Sequence, residues 1–168
     1  MTTEQAGIDF PATVELPESA RELVGSGALG HVVTLNEDGS PHVTGVWVGI
    51  DDGDIVFASM FPWRKTENLL RDPRVAVSIE APGFHATGLQ QYLVVRGRAE
   101  VTEGGAFELI RRLAETYVGE GAQIPPDELR VHTGHVVRVR AEEVGQRLAD
   151  HDVRDAGDRD DVAGTGLL

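Results

Sequence analysis

Two short acidic turns that contain a glycine divide the first half of this chain into apolar segments, and they constrain the fold more than any other feature. Glu37-Asp-Gly-Ser40 separates the strand-like segments His31–Asn36 and Pro41–Ile50, and Asp51-Asp-Gly-Asp54 separates the latter from Ile55–Met60. Such turns join adjacent antiparallel strands, whereas parallel strands need a long crossover connection. The sequence therefore predicts two successive β-hairpins.

The rest of the chain adds three helices and three further strands. The predicted helices cover Pro17–Val24, Arg64–Asp72 and Ala106–Val118. The predicted strands cover Val75–Glu80, Tyr92–Thr102 and a last strand from His135 to Arg140 or slightly beyond. Six strands with hairpin connections and only three helices predict a mainly β protein with some α structure, a six-stranded antiparallel barrel with short helices.

The net charge of -13 is unevenly distributed along the chain. Residues 1–20 hold four acidic residues and no Lys or Arg, and residues 141–168 hold eight acidic residues and three arginines. We therefore expect a flexible segment over residues 1–16, one domain over 17–149, and an acidic, disordered tail over 150–168. An acidic protein lacks the basic surface that phosphate polymers require, so neither nucleic acid nor a membrane is expected as a partner.

The expected location is the cytoplasm. No stretch approaches the ~20 apolar residues of a membrane span, and the start of the chain lacks the basic and apolar regions of a signal peptide. Cysteine is absent from the sequence, which excludes disulfides and thiolate chemistry.

Signatures of direct catalysis are scarce. His132 and His135 are the only close histidine pair, and no carboxylate stands at metal-ligand spacing around them, so no metal is expected. The run Gly25–Gly30 matches the dinucleotide pattern G-x-G-x-x-G, but a helix precedes it and a strand follows, the reverse of what that site requires. Because no side chain qualifies as a catalytic acid, base or nucleophile, a cofactor is expected to carry the chemistry.

Lys65 is the only lysine of the chain, and it follows Arg64 at the start of the second predicted helix. Free backbone amides and the helix dipole attract anions at that end of a helix, and Asn68 lies one turn further on the same face. The sequence predicts that a phosphate docks there. The alternative is that Arg64 and Lys65 are ordinary surface cations.

Four segments of the sequence carry a family resemblance. They are Phe57-Ala-Ser-Met60, Trp63-Arg-Lys-Thr-Glu-Asn-Leu69, Asp72-Pro-Arg-Val-Ala-Val77 and Val95-Arg-Gly-Arg-Ala-Glu100. In this order they resemble the flavin-binding split barrel of the pyridoxamine 5'-phosphate oxidase-like superfamily, over roughly residues 20–147. The resemblance implies a split β-barrel homodimer with two cofactor sites at the subunit interface.

The resemblance also implies positions for the cofactor. Arg64 and Lys65 fall where the family holds the cofactor phosphate, and Ala58 and Ser59 fall where it contacts the phosphate and ribityl chain. Gln91 and Tyr92 correspond to a position that reaches the cofactor of the opposite subunit, although plain packing is an equal alternative for Tyr92 and Trp47. The segment that lies along the ring system comprises Val43, Thr44, Gly45, Val46 and Trp47.

Differences from the family pattern narrow the expected activity. The end of the domain reads Val144-Gly-Gln-Arg-Leu-Ala-Asp150, without the tryptophan and the C-terminal Arg-Leu-Ala-Pro of the vitamin oxidases, so vitamin oxidation is not expected. The first-strand run Gly30–Leu35 resembles instead the subgroup that binds the deazaflavin coenzyme F420. An F420-dependent oxidoreductase that passes hydride to an unsaturated small molecule is the leading hypothesis. An FMN oxidoreductase and a non-catalytic carrier are the alternatives, and the candidate partners of an anionic coenzyme tail are Arg71, Arg74, Arg96 and Arg98.

Overall fold

The structure, a computed structural model, describes residues 12–148. The flexible segment predicted for residues 1–16 lies mostly outside the described residues, and the tail predicted for 150–168 lies outside them entirely. The helices are α1 (Glu18–Gly25), α2 (Arg64–Arg71) and α3 (Ala106–Tyr117), with a short 3-10 helix at Asp127–Val131 that the sequence did not predict. The strands are β1 (Gly30–Leu35), β2 (Pro41–Val46), β3 (Gly49–Asp51), β4 (Asp54–Ser59), β5 (Arg74–Phe84), β6 (Gln90–Glu103) and β7 (His135–Arg147).

All seven strands belong to one antiparallel sheet in the order β2-β1-β5-β6-β7-β4-β3. The two edge strands, β2 and β3, are consecutive in sequence and are separated by Trp47 and Val48 alone. The three Cα–Cα steps from Val46 to Gly49 span no more than about 11 Å, so these ends of the two edge strands are held close together. The mainly β, antiparallel architecture predicted from the sequence is confirmed.

The predicted count of six strands is wrong, because the segment Pro41–Ile50 forms two strands instead of one. At the break, the backbone N–H of Val48 donates to the Tyr117 hydroxyl at 2.9 Å, and that hydroxyl donates to the carbonyl of Ala28 at 2.8 Å. Trp47 stacks on the Tyr117 ring with centroids 5.3 Å apart and planes 15° apart. Contacts from α3 therefore replace strand pairing at this corner.

The fifth predicted strand, Tyr92–Thr102, lies within β6, and its side chains alternate between the two faces of the sheet. Leu93 and Val95 are fully buried, whereas Tyr92 and Arg96 are exposed on the opposite face. Gly97 also faces inward, beside an irregularity in the β6–β7 register, and a Cβ added there would lie 2.0 Å from the Arg140 carbonyl oxygen. Only glycine permits so close an approach of the two strands.

Three helices cover the sheet. Helix α1 buries Ala20, Leu23 and Val24 against the main core, and α2 buries Leu69 there. Helix α3 packs on β4, where Leu109 and Leu113 contact Val56. No helix among residues 12–148 is long and apolar enough to span a membrane.

Candidate functional site

Helix α2 begins directly after the segment that leaves β4, and its first two residues point in different directions. The backbone N–H groups of Thr66 and Glu67 donate to the Trp63 carbonyl at 2.8 and 3.2 Å, which forms the first turn. Successive helical residues are rotated by about 100°. Lys65 is consequently buried, with 9% of its surface exposed, while Arg64 is exposed.

Lys65 contributes to a cavity of about 280 Å³, here called the Lys65 cavity. The wall contains residues from the β2–β3 corner, from β4 and from α3. Its members are Leu29, Gly45, Val46, Trp47, Ala58, Lys65, Ile110 and Leu113. The structure thus brings together five residues that the sequence and the resemblance assigned to the cofactor: Gly45, Val46, Trp47, Ala58 and Lys65.

Among the described residues, Lys65 is the only ionisable one in the wall of this cavity. Within residues 12–148 its amino group makes no ion pair or hydrogen bond, and burial lowers the pKa of Lys65 below the ordinary value for lysine. A buried cation without a counter-ion is costly, because burial removes solvation without supplying a partner charge. The cavity therefore favours an anionic group beside Lys65.

Flat aromatic and aliphatic surfaces form the rest of the wall. Trp47, held by its stack on Tyr117, stands on one side, and Ile110 and Leu113 of α3 stand on another. Such a wall accommodates a planar ring through dispersion contacts and stacking. The residues present therefore fit a ligand that combines an aromatic ring with an anion.

Gly45 is exposed, and the side chain of Leu29 lies close to it. A Cβ added to Gly45 would lie 3.2 Å from a methyl carbon of Leu29, whose side chain is 47% exposed. Leu29 also lines a second cavity of about 540 Å³, the His31 cavity, together with His31, Glu80 and Gln90. A ring lying against Gly45 must therefore contact or displace Leu29, which separates the two cavities.

Arg64 and Asn68 line a third, strongly polar cavity of about 510 Å³, here called the Arg64 cavity. Its wall also contains the acidic residues Glu37, Asp38 and Glu67. The Asn68 side-chain amide donates to Thr34 Oγ1 at 3.0 Å and to Asn36 Oδ1 at 3.2 Å, so it links α2 to β1 and to the turn that follows. The predicted pair Arg64 and Lys65 is therefore divided between two cavities.

The other predicted site residues lie outside the Lys65 cavity. Val43 is 58% exposed on β2, and Thr44 beside it is half-buried. Ser59, at the end of β4, is buried, and its hydroxyl has no hydrogen-bond partner among the described residues. Gln91 is buried in β6, and the exposed Tyr92 carries the Arg147 guanidinium over its ring at 5.4 Å.

Comparison with known protein families identifies the chain. The pyridoxamine 5'-phosphate oxidase family matches residues 16–148, which is most of the sequence. The chain belongs to this family. None of the curated proteins compared with the sequence matches it significantly.

Solved structures of similar fold agree with this assignment. An F420 reductase is 25% identical with a TM-score of 0.63, and the match covers 77% of this chain and 98% of the reductase. A conserved hypothetical protein of Mycobacterium tuberculosis is 26% identical with a TM-score of 0.63, over 80% of this chain and 85% of that protein. The heme storage protein HutZ of Vibrio cholerae has a TM-score of 0.60 at 15% identity, over 81% of this chain and 98% of HutZ, a likeness of fold alone.

Several residues of this pyridoxamine 5'-phosphate oxidase family member were not predicted as site residues. Ile110, Leu113 and Tyr117 lie within the predicted helix Ala106–Val118, and Leu29 lies within the run Gly25–Gly30. Their sequence pattern is that of ordinary packing residues, and only the position of α3 on β4 brings them to the cavity. No signal in the sequence distinguishes them from the core.

The candidate tail cations of this family member already have partners. Arg74 pairs with Asp72 at 2.7 Å, Arg98 with Glu142 at 3.1 Å, and Arg96 with Glu143. The hydrogen bond from Arg74 is the main reason that the pKa of Asp72 is lowered to about 2. Arg71 donates to the Leu35 carbonyl and to the Asn68 side chain.

No group of three His, Asp or Glu side chains within residues 12–148 could hold a metal ion.

Proposed function

We propose that this protein is an oxidoreductase that binds a flavin-type cofactor at the Lys65 cavity and passes hydride from reduced coenzyme F420 to an unsaturated small molecule. The observation that carries the proposal is the buried Lys65, which has no charged partner within residues 12–148, in a cavity walled by Trp47 and apolar side chains. Membership of the pyridoxamine 5'-phosphate oxidase family supports flavin-type chemistry. The 25% identity to an F420 reductase supports the deazaflavin.

Each group of residues has its own role in the proposed function. The Lys65 ammonium donates hydrogen bonds to an anionic group of the cofactor, an interaction strengthened by the low polarity around it. Trp47, Ile110 and Leu113 orient the ring and exclude water from it. The bound, reduced coenzyme supplies the hydride, and we assign no acid or base to a side chain of this chain.

FMN is the alternative cofactor, and one observation favours it. F420 carries an anionic polyglutamate tail, yet Arg74, Arg96 and Arg98 are each engaged by a carboxylate of the same chain. A cofactor without such a tail needs none of these cations. A non-catalytic carrier of either cofactor would use the same site. It differs from an enzyme in that no hydride acceptor reoxidises the reduced coenzyme that it binds.

We further propose that two copies associate through the outer face of the sheet. Val33 lies directly between Val43 and Ala76 on this face, in register across β2, β1 and β5. A shallow cavity of about 290 Å³ continues the apolar surface to Leu35. Exposed apolar surface bordered by charged residues is typical of subunit interfaces.

The cytoplasmic location expected from the sequence stays a prediction.

A binding comparison tests the cofactor proposal. Purified protein is titrated separately with F420 and with FMN, and micromolar affinity for one of them is expected. Lys65→Ala should weaken binding by about 10- to 100-fold, because one charge-assisted hydrogen bond contributes about 1.5–3 kcal/mol. Arg64→Ala should have a smaller effect, since Arg64 lines a different cavity.

Arg21→Ala, at an exposed cation of α1, is the matched control and should leave binding unchanged. Absence of binding to both cofactors contradicts the proposed function. Wild-type affinity in the Lys65 variant contradicts the assignment of the anion to the Lys65 cavity.

A further inference from the structure

The neutral amino group of Lys65 is a nucleophile, a property that cofactor binding does not use. Lys65 is the only lysine among the 168 residues, so every other cation of the chain is a non-nucleophilic arginine guanidinium, a histidine or the N-terminal amine. Its side chain lines a cavity whose other seven members are Leu29, Gly45, Val46, Trp47, Ala58, Ile110 and Leu113. None of these seven is ionisable.

The surroundings of Lys65 favour its neutral, nucleophilic form. Burial lowers the pKa of the amino group, and no carboxylate pairs with it among residues 12–148. The nearest acidic neighbour on the same helix, Glu67, lines the Arg64 cavity instead. A desolvated lysine without a counter-ion is the arrangement that makes an amine reactive towards carbonyl compounds.

We propose that Lys65 of the cofactor-free protein is a covalent binding site for small aromatic aldehydes, which it captures as an imine. The lone pair of Nζ attacks the carbonyl carbon and forms a C–N bond, while the C=O π bond breaks and its electron pair moves to the oxygen. The resulting carbinolamine transfers protons from nitrogen to oxygen and loses water, which leaves a C=N bond. No electrons are gained or lost overall, so no oxidant or reductant is required.

The shape of the cavity selects the ligand class. Trp47 offers a flat aromatic surface next to the amine, and Ile110 and Leu113 exclude water that would hydrolyse the imine. The volume of about 280 Å³ accommodates a single aromatic ring. Benzaldehyde is therefore a suitable probe.

Reductive trapping tests this inference on the full-length protein without cofactor. The protein is treated with benzaldehyde and cyanoborohydride near pH 7, and the adducts are located by intact mass and peptide mapping. We expect an adduct on Lys65, which peptide mapping distinguishes from alkylation of the N-terminal amine. Lys65→Arg should lose the Lys65 adduct while keeping the cation.

Arg64→Lys provides the matched internal control, because it keeps Lys65 and adds an exposed amine at the adjacent position. Lys65 is expected to react faster than the introduced side chain, because burial lowers the pKa of Lys65 and so raises the fraction of neutral amine. Equal or slower reaction of Lys65 overturns the proposal. Thermal unfolding verifies that both variants are folded.

Trapping with and without cofactor distinguishes a failure of this inference from a failure of the proposed cofactor function. Trapping needs no cofactor, so failure of F420 and FMN to bind leaves the expected adduct unchanged. If either cofactor binds, saturating amounts should block the adduct. An unchanged yield with bound cofactor overturns the assignment of both ligands to one cavity.

Discussion

The hydroxyl of Tyr117 accepts the backbone N–H of Val48 at 2.9 Å, and this contact fixes the corner between the two edge strands of the sheet. The same hydroxyl donates to the Ala28 carbonyl at 2.8 Å. One side chain of α3 therefore joins the strand corner to the loop that contains Leu29. Trp47 and Leu29 both depend on it for their positions in the Lys65 cavity.

Tyr117→Phe should destabilise the fold by about 1–3 kcal/mol, because it leaves the Val48 N–H and the Ala28 carbonyl without their partner while the ring stack on Trp47 is kept. Denaturant unfolding measures the change. Tyr92→Phe is the control, since Tyr92 is exposed and its hydroxyl makes no hydrogen bond among residues 12–148. If Tyr117→Phe lowers the free energy of unfolding no more than Tyr92→Phe does, the Tyr117 hydroxyl does not stabilise the corner.

The hydrogen bond between Asn68 of α2 and Thr34 of β1, both of which are buried, predicts that these two residues are energetically coupled in the stability of the fold. Asn68→Ala and Thr34→Val should each destabilise the protein by about 1–3 kcal/mol, because each leaves a buried polar group unpaired. In a double-mutant cycle the combined loss should be smaller than the sum. Strict additivity would mean that the 3.0 Å hydrogen bond contributes nothing.

Cofactor affinity should fall as the pH rises. Burial lowers the pKa of Lys65 in the cofactor-free protein, and the anion needs the charged form, so binding takes up a proton once the pH exceeds that pKa. The decline should begin below the usual pKa of lysine, about 10.4. Kd measured from about pH 7 to pH 10 is the test, and Lys65→Arg should give a flatter profile because the guanidinium stays charged.

Lys65→Met should stabilise the cofactor-free fold at neutral pH while abolishing cofactor binding. A lysine whose pKa is lowered by folding disfavours the folded state below that pKa, and the penalty disappears as the pH rises through the unfolded value. Methionine fills similar volume without charge. A higher unfolding midpoint at pH 7, with the difference shrinking towards pH 10 or so, is expected. A lower midpoint contradicts the buried-charge argument.

The proposed subunit interface predicts that Val43→Asp dissociates the protein into monomers. Val43 is 58% exposed in the single chain, so the substitution should not disturb the fold, but it places a charge on the apolar outer face. Analytical ultracentrifugation gives the oligomeric state. Val131→Asp, at a residue that is 85% exposed elsewhere, should leave it unchanged. A wild-type monomer contradicts the proposed association outright.

Local sequence patterns were sufficient to predict most of the helices and strands. The turns at residues 37–40 and 51–54 predicted both hairpins, because their geometry requires the neighbouring strands to run antiparallel. The start of α2 at Arg64 was also predicted correctly. Strands β5 and β7 run several residues further than predicted, to Phe84 and Arg147, since pairing with β6 continues where the local pattern weakens.

The sequence by itself determined the two hairpins and the family, which depend on short segments read along the chain. It also predicted a role for Lys65, which stays a prediction. The tertiary structure decided the rest. Tyr117 breaks the second predicted strand from 69 residues away, a contact that no local pattern encodes. The rotation of α2 buries Lys65 while Arg64 stays exposed, and the docking of α3 on β4 completes a cavity from residues that the sequence marks only as apolar. Burial and the absence of a counter-ion among residues 12–148 are properties of packing, and the chemistry proposed for Lys65 depends on both.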